Sequence, residues 1–175
     1  VWLFNDIPVV DCAGVPGLKI SGFERNNEIP NLAIDRSKGT YRSVIYLAWA
    51  DSRNGANTAN VWFSRSHTFG DQWSTPTKIA PDDGGKYQFH PRMAIDQVTG
   101  FIYIVYYDRS GDDDNQTDVY LSYSDDSGGN FKTVKISETS FVADDKATFG
   151  NYINISAANG VITPVWMRCD EGKTS

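Results

Sequence analysis

The sequence predicts an all-β chain assembled from repeated units of four short antiparallel strands, and three observations predict it. The chain matches itself when laid over its own sequence at a shift of about sixty residues. Short β-branched and aromatic runs such as VIYLAW and FIYIVY recur between clusters of Gly, Pro, Asn and Asp. No window keeps apolar residues at i, i+3, i+4 and i+7, so the periodicity of an amphipathic helix is missing.

The elements follow in order. IPNLAID at 29–35 recurs as HPRMAID at 90–96, a shift of 61, and more faintly as YINIS at 152–156, where Ile155 takes the place of Ile95. Each is expected to be the first strand of a unit. The second strands are VIYLAW (44–49), FIYIVY (101–106) and VITPVW (161–166), β-branched and aromatic enough to be buried. The third, NVWFSRS at 60–66, recurs as DVYLSYS at 118–124, and the fourth, at 73–79, recurs at 131–136. Differences in spacing fall between strands, as in repeat architectures whose loops vary while their strands keep register.

Four antiparallel strands with a tight polar turn between the last two form the pattern of a β-propeller blade. Residues 29–80 and 90–137 make two blades, and 151–167 makes the inner half of a third. Residues 1–28 are expected to hold the tail of a preceding blade and the loop leading in, and 168–175 a tail. Propellers close with typically four to eight blades. Further blades from the same polypeptide or a partner chain are therefore expected to complete the ring.

Composition narrows the partners. The 16 basic and 22 acidic residues give a net charge of −6, and the basic ones form no run, which argues against nucleic acid. The apolar runs stop at an aspartate after about seven residues, far short of the roughly 18 that a membrane span requires. The start at Val1, without a methionine or a signal-peptide pattern, is expected of a processed or partial chain. Cys12 and Cys169 fit no metal spacing, and a disulfide and two separate thiols are both open to them.

Two turns share one spacing. SDDSGGNF places Ser124, Asp126, Gly128 and Phe131 at the offsets of Ser-x-Asp-x-Gly-x-x-aromatic, and SHTFGDQW keeps Ser66, Gly70 and Trp73 with Thr68 in place of the aspartate, a degenerate copy. A short polar side chain that bonds backbone, a glycine at positive φ and an aromatic packing under the hairpin explain the spacing. This is the Asp-box pattern. With the blade period it makes residues 29–167 resemble the sialidase-like, BNR-repeat propellers, particularly secreted bacterial ones. The resemblance implies a secreted or cell-surface protein that recognises carbohydrate, with exo-glycosidase (sialidase) activity on terminal acidic sugars as one role. A non-catalytic propeller that presents loops to a protein partner is the other.

In a propeller the starts of first strands and the ends of second strands reach one face. Here they supply Asn31, His90, Arg92 and Tyr152, and Asp51, Arg53, Asp108, Arg109, Arg168 and Asp170. Sialidases grip a substrate carboxylate with arginines, attack with a tyrosine backed by a glutamate, and use an aspartate as acid/base. The resemblance therefore implies Arg92, Arg168, Asn31 and His90 as substrate-binding residues and Tyr152 and Asp108 as catalytic ones. The pairs Asp51/Arg53 and Asp108/Arg109 also read as salt bridges tying down loops. The acidic run at 111–118 offers Asp112, Asp114 and Asp118 as candidates for a calcium ion, but it lacks the loop glycine and terminal glutamate of an EF-hand, and a solvated polar loop is the blander account. No other cofactor is implied, and the isolated His67 and His90 give zinc no support.

Overall fold

The computed structural model describes residues 6–11, 20, 29–55, 58–80, 87–109, 116–142 and 153–168. Among them all regular structure is strand, arranged in antiparallel sheets of four, five and two strands. Sheet I is β1 (Asn31–Ile34), β2 (Ile45–Asp51), β3 (Asn60–Ser66) and β4 (Thr77–Lys78), paired in that order. Sheet II repeats the meander with β5 (Gln88–Ile95), β6 (Ile102–Asp108), β7 (Gln116–Ser124) and β8 (Lys132–Lys135), and adds β9 (Phe141–Val142) beside the start of β7. Sheet III is the hairpin of β10 (Asn154–Ala158) and β11 (Val161–Val165).

One expectation about these strands needs correction, and one strand is additional. The fourth strand of sheet I regularises only over Thr77–Lys78, because Pro76 has no N–H to give the ladder. Ser74 N to Arg65 O (2.9 Å) and Ile79 N to Val61 O (3.2 Å) nevertheless hold the segment to β3. Strand β9, which the repeat does not contain, buries Phe141 and pairs with Gln116 and Thr117.

The sheets stack face to face, always with the same polarity. One face of sheet II, carrying Met93, Ile95, Ile102, Ile104 and Tyr106, packs on Tyr46, Ala48, Ala50, Val61 and Phe63 of sheet I. Its other face, with Phe89, Tyr103, Val105, Tyr107 and Val119, packs on Ile153 and Ile155 of sheet III. Alternation along each strand accounts for this, since neighbouring residues point to opposite faces and sheet II is covered on both. Burying one such aliphatic side chain is worth roughly 1.5–3 kcal/mol, so the two cores dominate the cohesion of the stack.

Hydrogen bonds fix the offset between sheets. Asp96 closes sheet II's first strand and accepts from Asn159 N (3.1 Å) and Gly160 N (2.6 Å) in the turn of sheet III. The Asn31 side chain of sheet I accepts from Met93 N at 2.8 Å, and Arg65 donates to Ser127 O at 2.6 Å. Ala59 forms a single parallel bridge to Tyr87, joining sheet I to the start of β5.

Register moves the third unit by two residues from its expected place. Ile155 lies opposite Pro164, as Met93 lies opposite Ile104, so Ile155 stands where Met93 does and not where Ile95 does. The reason is the turn: sheet III closes with Asn159 and Gly160 alone, both at positive φ (52° and 78°), a tight type I′ arrangement, whereas sheet II uses residues 96–101. The counterpart of Arg92 in sheet III is accordingly Asn154, not Tyr152.

Candidate functional site

The polar residues singled out by the sequence gather where β5 starts and β6 ends. A β-bulge shapes this corner: Phe89 pairs with Tyr107 and Arg92 with Val105, leaving His90 and Pro91 together opposite Tyr106. Pro91 is tolerated there because a bulge does not ask for its missing N–H. His90 takes φ 52°, a strained conformation for a non-glycine residue.

Each expected site residue can now be placed. Arg92 is partly exposed on the sheet II face that meets sheet III, and its Nη1 donates to Pro91 O at 2.9 Å. Asn31 and Asn154 hold the same position in sheets I and III, so Asn31, Arg92 and Asn154 form one column across the stack. His90 is buried among aromatics, 5.3 Å from the Phe89 ring and 6.3 Å from Tyr107. Burial, helped by the nearby Arg92 charge, lowers its pKa to about 4, so the ring is neutral at pH 7. Arg168 is exposed, directly after Met167, whose backbone is bonded in both directions to Tyr107 Oη at 3.1 Å. Tyr152 lies outside the described residues.

Asp108 is buried and accepts a 3.0 Å bond from Gln88 Nε2, while Gln88 Oε1 accepts from Val61 N of sheet I. Gln88 therefore ties the second strand's end to the neighbouring sheet. Sequence reasoning missed it, because the bulge shifts the register that sets Gln88 opposite Asp108 and nothing local in the sequence announces that shift. Arg109 is also buried, donating from Nε to Thr117 Oγ1 (3.0 Å) with its guanidinium 5.6 Å from the centre of the Phe89 ring. Burial pulls its pKa down to about 10, still cationic at neutral pH.

The matching corner of sheet I is built differently. Arg53 folds back on Asp51 through Nε at 2.9 and 3.0 Å and through Nη2, and lies 5.4 Å from the centre of the Trp49 ring and 4.9 Å from that of Trp62. Burial would raise the Asp51 carboxyl, but the bonds from Arg53 and from Trp49 Nε1 outweigh it and leave it below its usual value. The salt-bridge expectation thus describes Asp51/Arg53. In sheet II the arginine is one residue nearer its aspartate and enters the space beside Phe89.

Asp118, the described member of the calcium trio, accepts from Ser137 Oγ (2.9 Å) and Ser140 Oγ (3.0 Å) and pairs with Lys135 at 2.8 Å. A cation at Asp118 would have to displace that lysine. Asp112 and Asp114 lie outside the described residues, as do Cys12 and Cys169, and no group of three or more His, Cys, Asp or Glu side chains suited to a metal occurs among the described residues.

The two box turns share one hydrogen-bond plan. Ser124 Oγ accepts from Gly128 N (2.8 Å) and donates to Asp126 Oδ1 (2.7 Å), and that oxygen also accepts from Asn130 N (2.9 Å). In the first turn Ser66 Oγ accepts from Gly70 N (2.9 Å) and Thr68 Oγ1 accepts from Gln72 N (2.8 Å). The turn expected to be degenerate therefore keeps both of these bonds to backbone, the threonine hydroxyl standing where one carboxylate oxygen does. The aromatics differ from expectation: Phe131 packs edge-on against Phe63 of sheet I at 5.1 Å, while Trp73 donates its Nε1 to Gly70 O at 3.0 Å.

Among the described residues no helix is long and apolar enough to cross a membrane. No protein-family model matches the chain, and no curated protein matches it.

Proposed function

We propose that the stacked sheets are consecutive blades of a β-propeller of the Asp-box, sialidase-like kind, secreted or held at the cell surface, and that its role is recognition of an acidic glycan. The observation that carries the reading is the repeated geometry. Two sheets of identical strand order carry the same Ser-based turn at the same corner and stack with one polarity, which lines up Asn31, Arg92 and Asn154 at the starts of their first strands. Arg92 follows the bulge, a device common beside binding sites, and its planar fork suits a sugar carboxylate. Arg168 adds a second cation near the tie between Met167 and Tyr107.

A second reading has its own support. Asp108 is occupied by Gln88 and Asp51 by Arg53, so the described carboxylates at this end already serve the fold. That favours binding without hydrolysis. One titration separates the readings. Sialylated oligosaccharide should bind and the Arg92→Ala variant should bind at least tenfold more weakly, with turnover of a fluorogenic sialoside marking a hydrolase and its absence a binding module. Equal binding by Arg92→Ala would remove the arginine, and no glycan binding at all would remove the role.

A further inference from the structure

The sequence contains Asn-Gly twice, at Asn54–Gly55 and at Asn159–Gly160. This pair is the one most open to spontaneous loss of the side-chain amide, because glycine has no Cβ to hinder its own backbone nitrogen. The glycine nitrogen gives up its proton to solvent base and bonds to asparagine Cγ, and Nδ2 leaves as ammonia. Water then opens the five-membered imide at either carbonyl. The product is aspartate or isoaspartate, the latter with one more atom in the backbone.

Both pairs lie in exposed turns, yet their nitrogens are held differently. Gly160 N donates to Asp96 Oδ2 at 2.6 Å, and Asn159 N to Oδ1 of the same buried carboxylate at 3.1 Å. Burial would raise the Asp96 pKa, but the bonds from Gly160, Val98, Asn159 and Thr99 bring it below the ordinary value, so the group is charged at neutral pH. Taking the proton from Gly160 N would set a second negative charge against that carboxylate. Gly55 N donates instead to a neutral acceptor, Ser52 O, at 2.9 Å, and Asn54 Nδ2 donates to Asn60 Oδ1 at 3.2 Å. Bonds to a charged acceptor are roughly twice as strong as neutral ones. The turns also differ in what they tolerate. Asn159 and Gly160 set Ala158 opposite Val161, a register that an added backbone atom would break, whereas Asn54 lies beyond the last β2–β3 pair, Asp51 and Asn60. We propose that Asn54 is the site at which this chain is modified, by spontaneous deamidation to aspartate and isoaspartate, and that the Asp96 carboxylate protects Asn159 from the same reaction. The inference concerns turn chemistry and does not depend on any glycan.

Peptide mapping by mass spectrometry tests it, on chain incubated at pH 8 both folded and in urea. Unfolded, the two pairs should react at similar rates. Folding should slow Asn159 at least tenfold more than Asn54, since tenfold corresponds to about 1.4 kcal/mol, the scale of one hydrogen bond to a charged group. Asp96→Ala should bring Asn159 to the rate of Asn54 and leave Asn54 unchanged. Ile155→Ala removes a buried side chain from the core under sheet III but keeps the carboxylate, so most of the protection should remain. Equal slowing of the two sites by folding overturns the proposal, whether or not Asp96→Ala folds. So does an Asn159 rate that Asp96→Ala leaves unmoved, or one that Ile155→Ala raises as far, which would assign the protection to packing.

Discussion

At the scale of single residues, the box turns place glycine under two different demands. Gly128 has φ 79°, and a Cβ there would lie 2.3 Å from Phe63 Cε1, whereas Gly70 has φ 98° and meets nothing nearer than Ile45 Cδ1 at 4.0 Å. The same change to alanine separates backbone strain from collision. Gly70→Ala should cost about 1–2 kcal/mol from the positive φ alone, and Gly128→Ala on the order of 3 kcal/mol because an aromatic ring must also move. Thermal denaturation of the two variants gives the comparison, and equal losses would mean that Phe63 yields freely. Thr68 permits a related test: Thr68→Val removes the hydroxyl bonded to Gln72 N and O and should lose about 1 kcal/mol, while Thr68→Asp should keep the turn by restoring the full box.

At the scale of elements, Asp96, directly after β5, joins sheets. Its carboxylate accepts from Val98 N at 2.8 Å within its own turn and from Asn159 and Gly160 across the gap. Asp96→Ala should therefore loosen sheet III more than sheet I. In hydrogen exchange, the β10–β11 amides should lose protection while those of β2–β3 keep theirs, and a uniform loss would mean that the stack opens only as a whole. Sheet I has an aspartate at the same place, Asp35, whose Oδ1 accepts from Ser37 N. Its Oδ2 comes within 3.3 Å of where a Cβ on Gly100 would sit, so the corner of one sheet touches the first turn of the next at both junctions. The local pattern in the sequence showed that these aspartates recur, yet not what they hold. Their partners lie more than sixty residues away in the chain or across a turn of different length.

At the scale of the whole molecule, stability should fall with acid in two stages. His90 is held to about 4 in the fold against 6.5 outside it, so between those values the unfolded chain binds the extra proton. Its contribution is complete above pH 6.5 and is lost as pH drops to about 4, on the order of 3 kcal/mol in all. For Asp126, burial works to raise the pKa, but bonds from Asn130, Ser124 and Gly129 bring it down to about 2 from 3.8. Its share is present above pH 3.8 and disappears as pH falls toward 2. Urea midpoints measured from pH 8 to pH 2.5 should show the first decline, and His90→Gln should flatten that part of the curve alone. A variant that keeps the full slope between pH 6.5 and 4 would assign the decline to other groups.

By itself the sequence determined that the chain is all-β, that its strands come in units of four at a period near sixty, and where the box turns lie. These are properties of alternation, turn chemistry and self-similarity, which are local and survive without neighbours. Much of the candidate site was legible only as residue types: Arg92 and Asp108 could be named at strand ends, but not the role each has there. Tertiary structure decided that Asp108 is engaged by Gln88, that Arg109 is buried beside Phe89, that Asn154 and not Tyr152 is the third member of the Arg92 column, and that Phe131 packs on the preceding sheet. Each of these depends on a bulge, a two-residue turn or the stacking of one sheet on another. Shifts of that kind change which side chains meet while leaving the strand pattern intact, so no local reading of the chain contains them.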